Sequence, residues 1–226
     1  MTQGMDRSRL FMLAFIVPAV VYWLSLFSGG FEGDWAVKAL PMWVAAAILW
    51  RDLPLRFGAP MALGFLAASA GDIFLALDRD AFLRQALLCF LVTQLAYSVA
   101  FARAQRTGLR LAWRVPLVMY GLLALAWMWP GLGEFTIAVS VYVVVLIAMA
   151  WLGAGVEQRP GTLLAGCTLF VIADSLIGVN RFVQPVPAAE VVIVAMYTTG
   201  QFLILLGARR TLVVSPVSSS SGPRDD

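Results

Sequence analysis

The sequence predicts an all-α integral membrane protein with eight transmembrane helices, and three observations support this fold class. Of the 226 residues, 61% are hydrophobic and 13% are charged, whereas a soluble domain carries about 45–50% apolar and about 25% charged residues. A water-soluble fold cannot bury that much apolar surface, so the lipid bilayer must form part of the solvent. The other two observations are the spacing of the apolar runs and the distribution of the basic residues.

Eight apolar runs have roughly the length, about 17–25 residues, that crosses a bilayer. The runs cover residues 10–27, 35–49, 58–77, 82–102, 115–129, 135–152, 161–179 and 188–207. The second and fifth runs are short. These bounds predict a single transmembrane domain over residues 1–207, followed by a polar, disordered tail over residues 208–226.

Turn-forming residues separate several of these runs. The breaks are Ser28-Gly29-Gly30 after the first run, Trp129-Pro130-Gly131 after the fifth, Arg159-Pro160-Gly161 after the sixth, and Pro185 and Pro187 after the seventh. The first run follows two arginines, as a signal peptide does, but it is long for a signal peptide. Its removal would also leave an odd number of helices, so we expect it to be retained.

The basic residues are distributed unequally between the two ends of the predicted helices. Eight crossings place both chain termini on one side, and that side collects 12 of the 16 basic residues. They are Arg7, Arg9, Arg51, Arg56, Arg103, Arg106, Arg110, Arg114, Arg159, Arg209, Arg210 and Arg224, against Lys38, Arg79, Arg84 and Arg181 on the other side. By the positive-inside rule both termini are cytoplasmic. We expect an integral protein of a bacterial inner membrane.

The composition excludes several classes of function. The chain has no histidine, which rules out Ser-His or Cys-His catalysis and any histidine-ligated metal. Cys89 and Cys167 lie inside apolar runs and match no zinc or disulfide spacing. No run combines basic with aromatic residues, so nucleic acid is not an expected partner. We therefore expect no metal and no cofactor.

Two segments of ten residues, Ala70–Arg79 and Ile172–Arg181, align without gaps in the third and seventh runs. The alignment pairs Asp72 with Asp174, Asp78 with Asn180 and Arg79 with Arg181. Because the two runs are four apart, the two copies have the same orientation. The repeat predicts two four-helix halves related by an axis along the membrane normal, with a site between them.

Asp72 and Asp174 are the candidate catalytic residues. Each acid precedes the end of its run by five residues, which puts both carboxyl groups about 8 Å below the outer end of the helices. An ionisable residue inside a membrane span costs at least about 2.5–3.5 kcal/mol, so it is functional by default. The alternative is an acid that only pairs with a buried base or with the backbone.

Arg79 and Arg181 follow their acids by seven residues, two helical turns, so each guanidinium is expected about 10 Å further out, at headgroup level. A phospholipid has the same dimensions, with its phosphate at the arginine and its chain root at the acid. We favour Arg181 for the phosphate and expect Arg79 to pair with Asp78 or Asp80. The alternative for either arginine is interfacial anchoring.

Further polar residues inside the runs are expected to line a substrate cavity. Tyr142 and Tyr197 lie at about the depth of the acids, and Ser69 precedes Asp72 by one turn and could donate to its carboxylate. Lys38 either joins this site or extends to the interface. The full expected binding set is Arg181, Asn180, Arg79, Lys38, Tyr142, Tyr197, Gln94, Gln201, Ser69 and Tyr97. The competing interpretation of the buried tyrosines and glutamines is helix–helix contact.

An ordered set of short motifs resembles the YhhN-type lysoplasmalogenase family, whose members are multi-span hydrolases of the vinyl ether bond in lysoplasmalogens. The set consists of Lys38 and Pro41, Gly71-Asp72, Phe90 with Gln94 and Tyr97, Tyr142 and Met149, Asp174 to Phe182, and Met196-Tyr197 with Gln201. The resemblance covers most of the chain from the second run onward. It implies that Asp72 and Asp174 are catalytic. One departure is Gln94, where the family commonly has histidine.

This resemblance implies cleavage of lysoplasmenyl-ethanolamine or lysoplasmenyl-choline to a fatty aldehyde and a glycerophospho-alcohol. Two carboxyl groups suit that reaction, because one protonates the vinyl ether and the other, ionised, stabilises the resulting cation. The expected partner is a lysophospholipid within the bilayer. The main alternative is a proton-coupled transporter that uses the same aspartates. A lipid-binding scaffold and an intramembrane aspartyl protease are weaker alternatives, the latter because its GxGD signature would need glycine at Ser69.

Overall fold

The computed structural model describes residues 2–105, 111–157 and 161–212, and these residues form eight α-helices and no strand. The helices are α1 (Thr2–Ser25), α2 (Asp34–Asp52), α3 (Leu55–Leu77), α4 (Leu83–Arg103), α5 (Leu111–Met128), α6 (Thr136–Gly153), α7 (Thr162–Phe182) and α8 (Ala189–Leu212). Each helix coincides with one of the eight apolar runs. The all-α prediction is therefore confirmed.

Six of these helices, α1, α3, α4, α6, α7 and α8, are long and apolar enough to cross a membrane. The other two, α2 and α5, correspond to the two short runs. Four charged residues lie on α2, at Asp34, Lys38, Arg51 and Asp52, which lowers its apolar character. Six potential membrane-spanning helices are thus established by length and composition, and eight crossings stay a prediction.

The outside of the bundle is strongly apolar. Large side chains such as Ile137, Leu123 and Val144 are exposed over 80%, 65% and 61% of their surface. A soluble monomer rarely presents contiguous apolar surface on this scale, whereas lipid tails solvate it without cost. Burial of polar residues inside the bundle, in contrast, carries a free-energy cost unless they find partners.

Six helices form a closed ring around the polar interior. Contacts run in the order α2, α3, α4, α6, α7 and α8, and α8 returns to α2. Of the two remaining helices, α1 packs against α2 and α8, and α5 packs against α6 and α7. This order brings α3 and α7, the helices that carry the two aspartates, to non-adjacent positions in one ring.

Glycines allow close helix contacts on the two helices that carry the aspartates. A Cβ atom added to Gly166 on α7 would lie 2.7 Å from the backbone nitrogen of Ile204 and 2.8 Å from the carbonyl oxygen of Gly200, both on α8. A Cβ atom added to Gly64 on α3 would lie 2.3 Å from the ring of Tyr97 on α4. Small residues at these points allow close packing within the membrane, which holds α7 against α8 and α3 against α4.

The turns follow the glycine and proline breaks expected from the sequence. After α1 a short 3-10 turn, Leu26–Ser28, leads to Gly29 with φ +84°, a conformation that glycine adopts readily. Helix α8 continues past Gly207 to Leu212, and the rest of the expected tail lies outside the described residues. Four of the arginines used to predict the orientation also lie outside them, namely Arg106, Arg110, Arg159 and Arg224.

Candidate active site

The carboxylate of Asp72 is buried between three helices. Asp72 lies on α3 and is 3% exposed. From α2, the Nζ atom of Lys38 lies 3.7 Å from Oδ1 of Asp72. From α8, the hydroxyl of Tyr197 donates a 2.8 Å hydrogen bond to Oδ2. A cation and a phenol therefore both contact this carboxylate.

Asp174 on α7 is buried in a comparable position. It is 8% exposed. From α6, the hydroxyl of Tyr142 donates a 2.5 Å hydrogen bond to Oδ2 of Asp174. From α4, Nε2 of Gln94 donates to the same oxygen over 3.4 Å. Both partners are uncharged, and the six ion pairs found among the described residues do not include Asp174.

The same arrangement of helices supplies partners to the two acids. Each acid has one partner from the helix before its own, α2 for Asp72 and α6 for Asp174. Each also has one from a helix across the ring, α8 for Asp72 and α4 for Asp174. The hydroxyl of Tyr97 on α4 donates to Oε1 of Gln201 on α8 over 2.9 Å and links those two helices.

Lys38 joins the site and does not extend to the bundle surface. Its side chain is 9% exposed, and its Nζ atom lies 5.4 Å from the centre of the Tyr22 ring on α1. An ammonium over an aromatic face gains a further attraction when desolvated. Tyr22 was not among the candidate residues, because a single tyrosine in an apolar run carries no distinguishing pattern.

The expectation that Ser69 donates to Asp72 is wrong. The Ser69 hydroxyl is buried and has no hydrogen-bond partner among the described residues. Residues three positions apart share a helix face, but the Asp72 carboxylate faces α2 and α8, where its two partners are. Oε1 of Gln94 and Nε2 of Gln201 are likewise buried without a partner in the described part of the chain.

The two arginines beyond the acids form ion pairs with residues of other segments. Arg79 pairs with Glu190 of α8 over 3.1 Å, and Arg181 pairs with Asp80 over 2.7 Å. The expected pairing of Arg79 with Asp78 or Asp80 is therefore wrong. Asp78 instead accepts hydrogen bonds from the backbone N–H groups of the turn that follows it.

Asn180 has a local role at the same end of the bundle. Its Oδ1 atom accepts a 2.8 Å hydrogen bond from the backbone N–H of Val186. This bond fixes the proline-containing loop between α7 and α8. Glu190 was not a candidate residue, and Asp80 was expected at Arg79 and not at Arg181. Both pairings join segments that are distant in the sequence, so the spacing within one run does not indicate them.

An apolar slot leads from the arginine end of the bundle to Asp174. We define the slot by the residues of α3 to α7 that line it, among them Leu75, Phe90, Met128, Leu146 and Ile177. Its polar side chains are Tyr142, Asp174, Ser175 and Arg181. A more polar cavity of about 420 Å³ shares Leu83, Ile177, Arg181 and Phe182 with the slot and also contains Arg79 and Asn180. Asp72 does not line the slot.

The sequence profile of the YhhN family matches residues 33–208 of the chain, a range that contains both aspartates and every residue that pairs or hydrogen-bonds with them. The chain belongs to the YhhN family. With its apolar helices and membrane-protein relatives, it is an integral membrane protein.

Curated relatives are similar over most of this length. Human lysoplasmalogenase TMEM86A is 32% identical over 201 residues, which cover 77% of this chain and 82% of that protein. Human lysoplasmalogenase TMEM86B is 31% identical over 179 residues, covering 78% of this chain and 76% of that protein. The membrane protein YhhN of Escherichia coli O157:H7 is 26% identical over 203 residues, which cover 85% of this chain and 96% of that protein. No solved structure matches the chain.

Proposed function

We propose that this YhhN-family protein is a membrane hydrolase that cleaves the vinyl ether bond of lysoplasmalogens. The products are a fatty aldehyde and a glycerophospho-alcohol. The observation that carries the proposal is the pair of buried aspartates, Asp72 and Asp174, each hydrogen-bonded to a tyrosine. The relatives named lysoplasmalogenase support the choice of substrate.

The reaction needs one carboxylic acid and one carboxylate. Protonation of the outer vinyl carbon gives an oxocarbenium ion, to which water adds, and the hemiacetal then collapses to aldehyde and alcohol. Desolvation favours the neutral form of a carboxyl group, which suits a proton donor. A nearby carboxylate, which carries the opposite charge, stabilises the cation. The chemistry requires no metal or cofactor.

The lipid is proposed to enter with its phosphate at Arg181 and its alkenyl chain in the apolar slot. Arg181 lies seven residues beyond Asp174 on α7, so the two groups are separated by about 10 Å along the helix axis. Arg181 lines both the slot and the adjoining polar cavity, which supports this placement. A guanidinium binds phosphate through charge-assisted hydrogen bonds. The remaining candidate residues other than Ser69 contribute through the ion pairs and hydrogen bonds described above.

We also propose eight membrane crossings in two four-helix halves, with both termini cytoplasmic in a bacterial inner membrane. The matched partners of Asp72 and Asp174 support the two halves, because exchange of α2 with α6 and of α4 with α8 relates the two sets of contacts. Reporter fusions after Gly207 should report a cytoplasmic location. A periplasmic signal would contradict the topology.

The decisive experiment is an assay of the purified full chain on matched lysolipids. We expect aldehyde release from a vinyl-ether lysolipid and none from its alkyl-ether or acyl counterparts, because only the vinyl ether is activated by protonation at carbon. A proton-coupled transporter with the same aspartates would release no aldehyde and would instead show substrate-driven proton flux in vesicles. Absence of aldehyde from every vinyl-ether substrate would overturn the proposal.

A further inference from the structure

The buried ammonium of Lys38 distinguishes the two aspartates. Its Nζ atom lies 3.7 Å from Asp72, and the other neighbours of this pair are the hydroxyl of Tyr197 and the ring of Tyr22. A buried charge that loses its partner costs about 3–5 kcal/mol. The Lys38 ammonium is therefore stable in this position only while Asp72 carries a negative charge.

Asp174 has no such partner among the described residues. The groups that face it are the Tyr142 hydroxyl from α6, the Gln94 amide from α4 and, more remotely, the Asp72 carboxylate of α3. Two of these are neutral and the third is an anion. A buried carboxyl group in such surroundings is favoured in its neutral form.

The two acids also differ in their access to substrate. Asp174 lines the apolar slot. On the Asp72 side, the slot wall includes Phe90, whose ring packs edge-on against the Tyr197 ring with 5.9 Å between centroids. Asp174 is therefore the acid that an alkenyl chain in the slot can contact.

We propose that the two aspartates have fixed and different roles: Asp174 transfers every proton, and Asp72, paired with Lys38, remains an anion. In this division Asp174 is the catalytic acid and base, and Lys38 is a positioning residue that acts through Asp72. The inference rests on the proposed vinyl-ether hydrolysis. It adds which aspartate donates the proton and which remains ionised, a choice that the proposed reaction does not make.

The reaction balances with a single proton carrier. The O–H bond of Asp174 breaks, and the π electrons of the alkene form the new C–H bond, which leaves the oxocarbenium ion beside the Asp174 carboxylate. Water adds to the cationic carbon and gives one proton back to Asp174. Asp174 then protonates the glycerol oxygen as the C–O bond breaks, and it regains the hydroxyl proton of the hemiacetal. Asp72 stays ionised throughout and stabilises the cation by its charge.

Infrared spectroscopy of the purified, substrate-free protein tests this division directly. At neutral pH we expect the C=O stretching band of one buried, protonated carboxyl group. The band should disappear in Asp174→Asn and persist in Asp72→Asn. A band that disappears in Asp72→Asn and persists in Asp174→Asn would reverse the assignment, and absence of the band in the unmodified protein would overturn it.

Substitution of Lys38 provides a second test. Lys38→Met should add a second protonated-carboxyl band, and kcat should fall about 100-fold with little change in KM, as for the loss of one preorganised charge. Lys38→Arg keeps the cation and should keep both the single band and most of the activity. Lys38→Met/Asp72→Asn removes both charges and should lose the second band.

Arg209→Met is the control, because it removes one cation from an ion pair at the opposite end of the bundle, where Asp52 keeps its second partner, Arg51. It should leave the infrared spectrum and kcat unchanged. A second band in Arg209→Met, or a single band in folded Lys38→Met, would contradict the role of Lys38. The spectra are read without substrate, so failure of this inference is distinct from failure of the proposed reaction, which the aldehyde assay reports.

Discussion

The surroundings of Asp72 and Asp174 differ in charge although helices in matching positions form them. At Asp72 the preceding helix supplies a lysine and at Asp174 it supplies a tyrosine. The helix across the ring supplies a neutral donor in both cases, Tyr197 or Gln94. A nearly symmetric frame can thus hold two identical side chains in different electrostatic states, because one partner position differs.

Replacement of the acids themselves should give the largest effects. Asp72→Asn and Asp174→Asn should each lower kcat at least about 1000-fold, since each removes an ionisable group from the reaction. The kcat of the double variant should be no lower than that of the less active single variant, because the two carboxyl groups act as a unit. Aldehyde release measures activity, and thermal unfolding in detergent shows that the variants fold. Near-normal activity of either single variant would end the two-carboxylate mechanism.

Replacement of the tyrosine beside each acid should have smaller effects that differ between the two sites. Tyr142→Phe removes the closest donor to Asp174 and should lower kcat about 10- to 100-fold, the effect of a hydrogen bond to the carboxylate that forms as Asp174 gives up its proton. Tyr197→Phe should lower kcat only about threefold. In the proposed division of roles Asp72 stays ionised beside Lys38, so its bond to Tyr197 changes little between the ground state and the transition state. The prediction is tested by the ratio of the two kcat values. Equal losses would remove the distinction between the sites.

The arginines test which half receives the headgroup. Arg181→Ala should raise KM about tenfold for phosphate-bearing vinyl-ether lysolipids and have little effect on a vinyl-ether glycerol without phosphate. Arg79→Ala should raise KM less than about threefold, because Arg79 does not line the slot and exposed ion pairs contribute little. Arg84→Ala, which breaks the exposed pair with Glu134, is the control. Equal effects of Arg181→Ala on both substrates would assign it an interfacial role.

Gln94 should give the smallest effect. Its hydrogen bond to Asp174 is long, at 3.4 Å, so Gln94→Leu should lower kcat by about threefold. Gln94→His should keep activity within about twofold, since an imidazole N–H can also donate. Steady-state kinetics on one lysolipid suffice. A loss above about 30-fold in either variant would mean that Gln94 takes part in the chemistry.

Helix positions and the two acids could be predicted from the sequence because both are properties of single segments. An apolar run of bilayer length predicts a helix, and an acid within it predicts a functional residue. The depth of a residue along its helix also follows from its position within a single run. This position predicted that Tyr142 and Tyr197 lie level with the acids, to which they donate hydrogen bonds. The assignment of Tyr197 to Asp72, however, requires knowing that α8 faces α3 across the ring.

The errors have the same cause. Sequence proximity suggested that Ser69 serves Asp72 and that Asp78 or Asp80 serves Arg79. In the fold, the Asp72 carboxylate faces partners from α2 and α8, and Arg79 faces Glu190 at the start of α8. Packing of one helix on another determines these contacts. Nothing in the pattern of a single run encodes that packing.

The ion pair between Arg181 and Asp80 has a consequence for lipid exchange. In the proposed binding mode, a phosphate at Arg181 competes with Asp80 for the guanidinium, so the ion pair lowers its measured affinity. An exposed pair of this kind is worth about 0–1 kcal/mol, equivalent to at most about a fivefold change in affinity. Asp80 would therefore act as an internal competitor that is weak enough to yield to substrate and that also competes with the phosphate of the departing product.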